Sequence, residues 1–307
     1  MRVRVLGSGA GGGFPQWNCN CENCRGVRLG SRRAQPRTQS SIALSADGVR
    51  WYLINASPDI RQQIESFPGL HSKGATRGTP IHAILLTNAD IDHITGLLSL
   101  REFQPLCVYS TKQVQDWVLE SNAVFRAIRL FPSQLTWKTV ITSGRHPIIG
   151  VDETDSGLRY EAFAVASKPP AYLEDLVVDW SEETIGYKIV DSTSGRSLCY
   201  VPGAKQLDPS LMARLRECDC VFLDGTFWSD EELINLGIAK RTAVEIGHIS
   251  IGGPEGSLAK LAGLRGVKRI YTHINNTNPI LIEDSSERRT VEEAGWEVAF
   301  DGMELEI

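Results

Sequence analysis

Short apolar runs broken by turn residues alternate with stretches of helical spacing along this chain. Residues 2–6 read as a strand that ends in glycines. Residues 40–46 and 50–55 read as a hairpin turned at Asp47-Gly48. Ser57-Pro58 predicts a helix start, with Ser as cap, Pro at the first helical position, and Ile60, Ile64 and Phe67 at helical spacing. Residues 81–87 predict a buried strand with a polar end, followed by a helix through Leu97, Leu98 and Leu100. Helices are expected over 111–120 and 123–130, strands near 135–140 and 160–166, and a second hairpin pairing 185–190 with 197–201. Helix and strand then alternate: helix 208–217, strand 220–224, helix 254–262, strand 268–272, helix 285–294, and closing strands at 296–300 and 303–307. Hairpins and helix–strand units occur in both halves. This predicts an α/β fold of helix-covered sheets, with residues 1–307 as one domain.

Composition narrows the function. Charged residues make up 22% of the chain, which argues against disorder. The balance of 32 Lys and Arg against 37 Asp and Glu gives a net charge of −5 and argues against a general nucleic-acid binder. No apolar run approaches the ~18 residues of a membrane helix, and the N-terminus lacks a signal-peptide core. The expectation is a cytoplasmic protein with no membrane insertion. Seven cysteines are an odd count, and Cys19, Cys21 and Cys24 crowd one irregular loop over 18–25. That spacing suits a metal in a reducing compartment better than a disulfide framework. Cys107, Cys199, Cys218 and Cys220 sit in strand-like surroundings and read as core.

Three stretches carry candidate chemistry. Gly7-Ser8-Gly9-Ala10-Gly11-Gly12 satisfies a dinucleotide fingerprint, but no helix start and no acidic residue follow at the required places. These glycines read as a close approach of backbone to a ligand or another loop. The thiolates of Cys19, Cys21 and Cys24 can bind one structural zinc, with a fourth ligand from elsewhere. In the third stretch, a buried strand ends in Asn88, Asp90, Asp92 and His93 before Gly96 and a helix. Polar groups at such a mouth are costly unless they bind something. Asp92 and His93 could reach one cation; acids that cap a helix would give the same spacing.

The stretch from Asn88 to Gly96 resembles the H-x-H-x-D-H motif of the metallo-β-lactamase superfamily, with Asn88 and Asp90 in the places of the two leading His. Gly247-His248-Ile249-Ser250 and Tyr271-Thr272-His273 resemble two later elements of that superfamily. The resemblance implies an αββα sandwich of two mixed sheets with helices on the outer faces. Hydrolases of this superfamily hold two metals, the first on the leading His pair and a third His. Here those positions read Asn88, Asp90 and Ser167, and the bridging-Asp position near 202–204 has no carboxylate. The second site keeps Asp92, His93 and His273. Two His and one carboxylate are the ligand set of a non-haem Fe(II) oxygenase. A single zinc that activates water is the hydrolase alternative.

Asn55-Ala56-Ser57-Pro58-Asp59-Ile60-Arg61, Tyr200-Val201-Pro202-Gly203, Asp224-Gly225-Thr226-Phe227-Trp228 and His273-Ile274-Asn275-Asn276-Thr277-Asn278-Pro279 further resemble the synthesis protein B family of pyrroloquinoline quinone (PQQ) biosynthesis. That resemblance implies an iron-dependent hydroxylase acting on the tyrosine-derived ring of a PQQ precursor, alongside other PQQ biosynthesis proteins. It also leaves open a carrier of PQQ or its precursor. On this reading Asp92, His93 and His273 hold Fe(II), for which Zn, Mn or Cu could substitute. Asp90 and His248 are catalytic candidates, and Asp224 is expected to hydrogen-bond a metal-bound His. Related phosphodiesterases place a fourth zinc ligand three residues after the last active-site His, which is Asn276 here. Arg61 and Lys168 are candidates to bind substrate carboxylates.

Overall fold

Apolar runs and alternating strands assemble into two seven-stranded sheets in a computed structural model that describes residues 1–74, 76–131, 133–174 and 183–307. The strands are β1 (Arg2–Gly7), β2 (Ser41–Ser45), β3 (Trp51–Ile54), β4 (Ile81–Leu85), β5 (Leu106–Ser110), β6 (Leu135–Thr139), β7 (His146–Ile149), β8 (Asp155–Ala164), β9 (Ile185–Asp191), β10 (Ser197–Val201), β11 (Cys220–Asp224), β12 (Lys268–Thr272), β13 (Glu297–Val298) and β14 (Glu304–Glu306). The first sheet runs β14-β1-β2-β3-β4-β5-β6 and the second β13-β12-β11-β10-β9-β8-β7. Each is antiparallel where hairpins lie and parallel where helices cross over, as with β3 to β6 and β10 to β13. No helix among the described residues is long and apolar enough to cross a membrane.

Side chains on alternate positions of the strands face each other between the sheets. Val3, Val5, Ile42, Leu44, Tyr52 and Ile54 of the first meet Tyr187, Ile189, Leu198, Tyr200, Phe222 and Ile270 of the second. Each sheet buries its other face separately. Leu53, Ile84 and Val108 pack with Ile60, Val114 and Val118. Cys199, Val221 and Leu223 pack with Leu211, Leu215 and Val291. The result is the αββα sandwich. All four cysteines expected in the core are buried.

Local chemistry explains where the elements depart from the sequence expectations. The Asp47-Gly48 turn forms as expected: Gly48 has φ +74°, and Asp47 Oδ1 accepts from the Val49 and Arg50 N–H groups. The helix expected at Ser57-Pro58 begins only at Ile60, because Ser57 Oγ accepts from the Asp59 N–H and donates to Gln63 instead of capping a continuous helix. The helix expected over 254–262 contracts to Ser257–Lys260. Strands β5 and β7 had no clear signal; β7 carries Pro147 and lies at the edge of its sheet, where a missing N–H is tolerated. Strand β4 ends at Leu85, two residues early, because the chain peels away into the polar loop.

The parallel strands β3 and β4 of one sheet and β10, β11 and β12 of the other end along one edge of the sandwich. Carboxyl ends of parallel strands are where such sheets hold ligands.

Candidate metal centre

The loop after β4 is locked before it reaches the site. Asn55 adopts φ +64° at the end of β3. Its Oδ1 accepts from the Thr87 N–H (2.9 Å), and its Nδ2 donates to Thr87 Oγ1 (3.0 Å). The Ala56 N–H donates to the His93 carbonyl (2.8 Å), and Gly96 N–H donates to the Ala56 carbonyl (2.9 Å). A Cβ at Gly96 would sit 2.3 Å from the Ser57 carbonyl oxygen, so only glycine allows this approach.

His93 is buried, and its Nδ1–H donates to Asn88 Oδ1 (2.6 Å), with Thr87 Oγ1 at 3.3 Å. That fixes the tautomer and leaves Nε2 with a lone pair. Nε2 is buried without a hydrogen-bond partner. It lies 3.8 Å from Asp92 Oδ2, which is 3.2 Å from His273 Nε2. Asp92, His93 and His273 thus bring three ligand atoms within 4.8 Å of one another. Burial pushes the His93 imidazole down to about 4, so it stays neutral. Burial works to raise Asp92, but the His93 and His273 rings overcome it and hold the carboxylate ionised. A neutral imidazole with an orphaned buried nitrogen beside an ionised carboxylate fits a divalent cation.

His273 holds its place with φ +57°, a conformation costly for a residue with a Cβ. Thr226 supports it. The Thr226 hydroxyl donates to Asp224 Oδ1 (2.6 Å) and accepts from His273 Nδ1 (2.9 Å), leaving His273 Nε2 toward Asp92. Asp224 Oδ2 accepts from His248 Nδ1 (2.8 Å) and from the Ala204 N–H (2.9 Å). The His248 ring stacks on His273 with centroids 5.4 Å apart. Asp224, His248 and His273 form a second grouping that could ligate a cation.

This corrects the expectation for Asp224: its direct imidazole partner is His248, and it reaches His273 through Thr226. Residues 202–204 supply no carboxylate, as read from the sequence; the carboxylate that stands against them is that of Asp224 on the neighbouring strand, and it is fully hydrogen-bonded. Asp90 is not among the grouped ligands; its Oδ2 accepts from Asn88 Nδ2 (2.7 Å). Burial, then Asp92, pushes the Asp90 carboxyl up to about 6.

Glycines 7–13 cradle the site with no helix following. Gly9 pairs with Gln39 and Ile274, and a Cβ on Gly11 would lie 3.6 Å from Asp92 Oδ2. Sequence reasoning missed the role of Thr226. The signal that could have found it is a second apolar strand ending in Asp224-Gly225-Thr226, the pattern that marked Asp92 and His93.

The three loop cysteines meet as expected. Cys21 caps the helix Glu22–Arg28, its sulfur accepting from the Cys24 N–H. The Asn276 amide Nδ2 lies 3.1, 3.7 and 3.3 Å from the sulfurs of Cys19, Cys21 and Cys24. Neighbouring ligands of a tetrahedral zinc, with bonds of about 2.3 Å to sulfur and about 2.1 Å to oxygen, stand roughly 3.6 Å apart. The amide, turned about its Cβ–Cγ bond, puts Oδ1 at that vertex. Burial, with Cys19 and Cys24 adding to it, pushes the Cys21 thiol up to about 12, so Cys21 ionises near neutral pH only with a cation beside it. Asn23 Nδ2 donates to the carbonyls of Asn276, Thr277 and Asn278, tying this loop to the His273 segment.

The remaining candidates separate. Lys168 lies beside Gly247, next to His248, whereas Arg61 is exposed on its helix. His71, His82 and His146 bond to Ile64 O, Asp152 and Ser143 O, away from this edge.

The sequence profile of the Beta-lactamase superfamily domain matches residues 50–274. The chain is 44% identical over 307 residues to coenzyme PQQ synthesis protein B of Pseudomonas savastanoi pv. phaseolicola, covering all of both. It superposes on zinc-bound PqqB from Methylobacterium extorquens with a TM-score of 0.91 and 43% identity, again over all of both chains. A diphosphatase of the PhnP family, 22% identical with a TM-score of 0.68 over 100% of this chain and 98% of that one, shares the fold. These matches extend over the loop, both sheets and the strand ends just described, and the chain belongs to the coenzyme PQQ synthesis protein B family of the β-lactamase superfamily.

Proposed function

We propose that this chain acts in PQQ biosynthesis as a metal-dependent enzyme, a non-haem iron hydroxylase of the tyrosine-derived ring of the precursor. The relatives' names support the pathway. The observation that carries the chemistry is the buried, partnerless His93 Nε2 facing Asp92 and His273. Asp92, His93 and His273 would hold one Fe(II). Such an ion, when bound by two imidazoles and one carboxylate, would supply open positions for O₂; the two electrons that release the second oxygen atom as water would come from the dihydroxyphenyl ring, which leaves as the hydroxyquinone. Asn88 and Thr226 keep both imidazoles in the tautomer that presents Nε2. Asp224 holds the His248 Nδ1–H, so His248 Nε2 is left to accept a proton from a phenol. Asp90, whose carboxylate accepts from Asn88 Nδ2, is the nearby carboxyl that would return a proton. Cys19, Cys21, Cys24 and Asn276 would hold a structural zinc that braces the His273 segment.

The test is isotopic. Iron-loaded protein is given a dihydroxyphenyl amino acid under ¹⁸O₂, and the product is weighed by mass spectrometry. Label from O₂ in the product, lost in His93→Ala, supports the hydroxylase. Label entering only from H₂¹⁸O under ordinary O₂ would instead identify water as the nucleophile and overturn it.

A further inference from the structure

A cluster at the mouth of the cleft has no part in holding the metal. Lys168 Nζ lies 3.0 Å from Glu174 Oε1, and Arg241 grips the same carboxylate with Nη1 at 3.0 Å from Oε1 and Nη2 at 3.1 Å from Oε2. The stem of Lys168 crosses Gly247, whose Cβ would meet Lys168 Cγ at 3.1 Å. Arg241 opens the segment in which the Ala243 carbonyl accepts from the His248 N–H (2.9 Å). Glu174 lies on the same β8–β9 connection as Lys168, six residues on. It follows the turn Ala171–Leu173, whose Tyr172 hydroxyl donates to the Ala89 carbonyl (2.8 Å), in the loop that carries Asn88 and Asp90.

Three features set this cluster apart from a surface ion pair. Two cations share one carboxylate, so these three groups carry a net positive charge, with Glu245 a more distant acid acting on Arg241. Its side chains remain 25%, 28% and 53% exposed for Lys168, Glu174 and Arg241, within reach of a ligand. Exposed pairs contribute little stability, so structure alone is a weak reason for the arrangement. The cleft behind it holds the carboxylates Asp90, Asp92 and Asp224, which repel an anion. A positive rim offsets that field. The planar two-pronged contact of Arg241 is the geometry that recognises a carboxylate. Arg241, then Lys168, pulls Glu174 down to about 2, so it is fully ionised and mimics a bound carboxylate ligand.

We propose that Lys168 and Arg241 form the subsite for a substrate carboxylate, and that Glu174 occupies it as a stand-in that the substrate displaces. The inference rests on the reading that substrate enters this cleft. It adds the chemical class recognised, a carboxylate on an arm reaching out from the ring bound near His248.

The test needs neither iron turnover nor O₂. Zinc-loaded protein is titrated by calorimetry with 3-(3,4-dihydroxyphenyl)propionate and with 4-ethylcatechol, which lacks the carboxylate. Wild type should bind the acid at least about tenfold more tightly. Arg241→Gln and Lys168→Gln should each reduce that preference several-fold and leave 4-ethylcatechol unchanged. Glu174→Gln should tighten the acid alone, the reverse of what a merely structural link would give. If 4-ethylcatechol binds as well as the acid, or Glu174→Gln fails to tighten the acid, the subsite is refuted while the cleft reading stands. If neither compound binds wild type, both fall.

Discussion

Replacing Asn88 with Ala removes the acceptor that sets the His93 tautomer. In the native arrangement His93 Nδ1–H has Asn88 Oδ1 at 2.6 Å, while Thr87 Oγ1, the only other neighbour of that atom described, stands at 3.3 Å and is engaged with Asn55. Without Asn88 the ring can turn or protonate the wrong nitrogen, and Nε2 no longer faces Asp92 as a lone pair. Loss of such an outer partner costs about 10–100-fold in metal affinity, or roughly 1.4–2.7 kcal/mol at 1.4 kcal/mol per decade. The upper part of the range is expected here, because the deleted bond is short and buried. Asn88→Asp keeps an acceptor and should retain affinity within about tenfold of wild type. The assay is titration with Co(II), whose thiolate charge-transfer bands report the cysteine site separately from a nitrogen–oxygen site. An Asn88→Ala protein with wild-type affinity at the nitrogen–oxygen site would refute the tautomer argument. So would weakening confined to the thiolate site.

Other consequences are as direct. Gly96→Ala forces a Cβ against the Ser57 and Ala56 carbonyls and should destabilise the fold by about 1–3 kcal/mol in denaturant titrations; a neutral effect would show that the loop does not need this close approach. Cys21→Ser keeps a helix cap but loses a thiolate, so it should lose one zinc and melt nearly as low as Cys21→Ala. If Cys21→Ser keeps the wild-type melting temperature, the zinc is not a brace. Asp47 is lowered in the folded protein: burial opposes this, but the Arg50 and Val49 N–H groups and the Arg50 guanidinium outweigh it. A lowered folded pKa means stability that is fully present above the unfolded value of about 3.9 and is lost as pH falls below it. The stability gap between wild type and Asp47→Ala should therefore shrink in urea titrations taken from pH 6 down to pH 3, and a gap that widens on acidification would contradict the assignment.

The sequence already carried the fold's logic in its buried strands. The apolar runs of β4, β11 and β12 each end in polar residues, and three of those ends supply Asp92, His93, Asp224 and His273. The cysteine loop was legible because three thiols so close together have few other uses. What was not legible depends on contacts between segments far apart in sequence. The tautomers set by Asn88 and Thr226 follow from distances of 2.6 and 2.9 Å that no local pattern encodes. The left-handed backbone of His273 gives no sequence sign, since glycine would be the expected residue there. Pro147 and the short run of β5 hid two strands because edge position and burial decide those elements more than propensity does. The pairing of Glu174 with Arg241 likewise joins two connections far apart in sequence, β8–β9 and β11–β12.

Oxygen uptake reads the iron chemistry itself. Metal-stripped protein, its cysteine site refilled with zinc, would be loaded anaerobically with Fe(II) and mixed with aerated buffer and a dihydroxyphenyl amino acid, beside a zinc-only sample and His93→Ala. O₂ consumption should require substrate, iron and His93 together. Equal consumption by the iron-loaded His93→Ala protein, or none by iron-loaded wild type that binds the substrate, would contradict it.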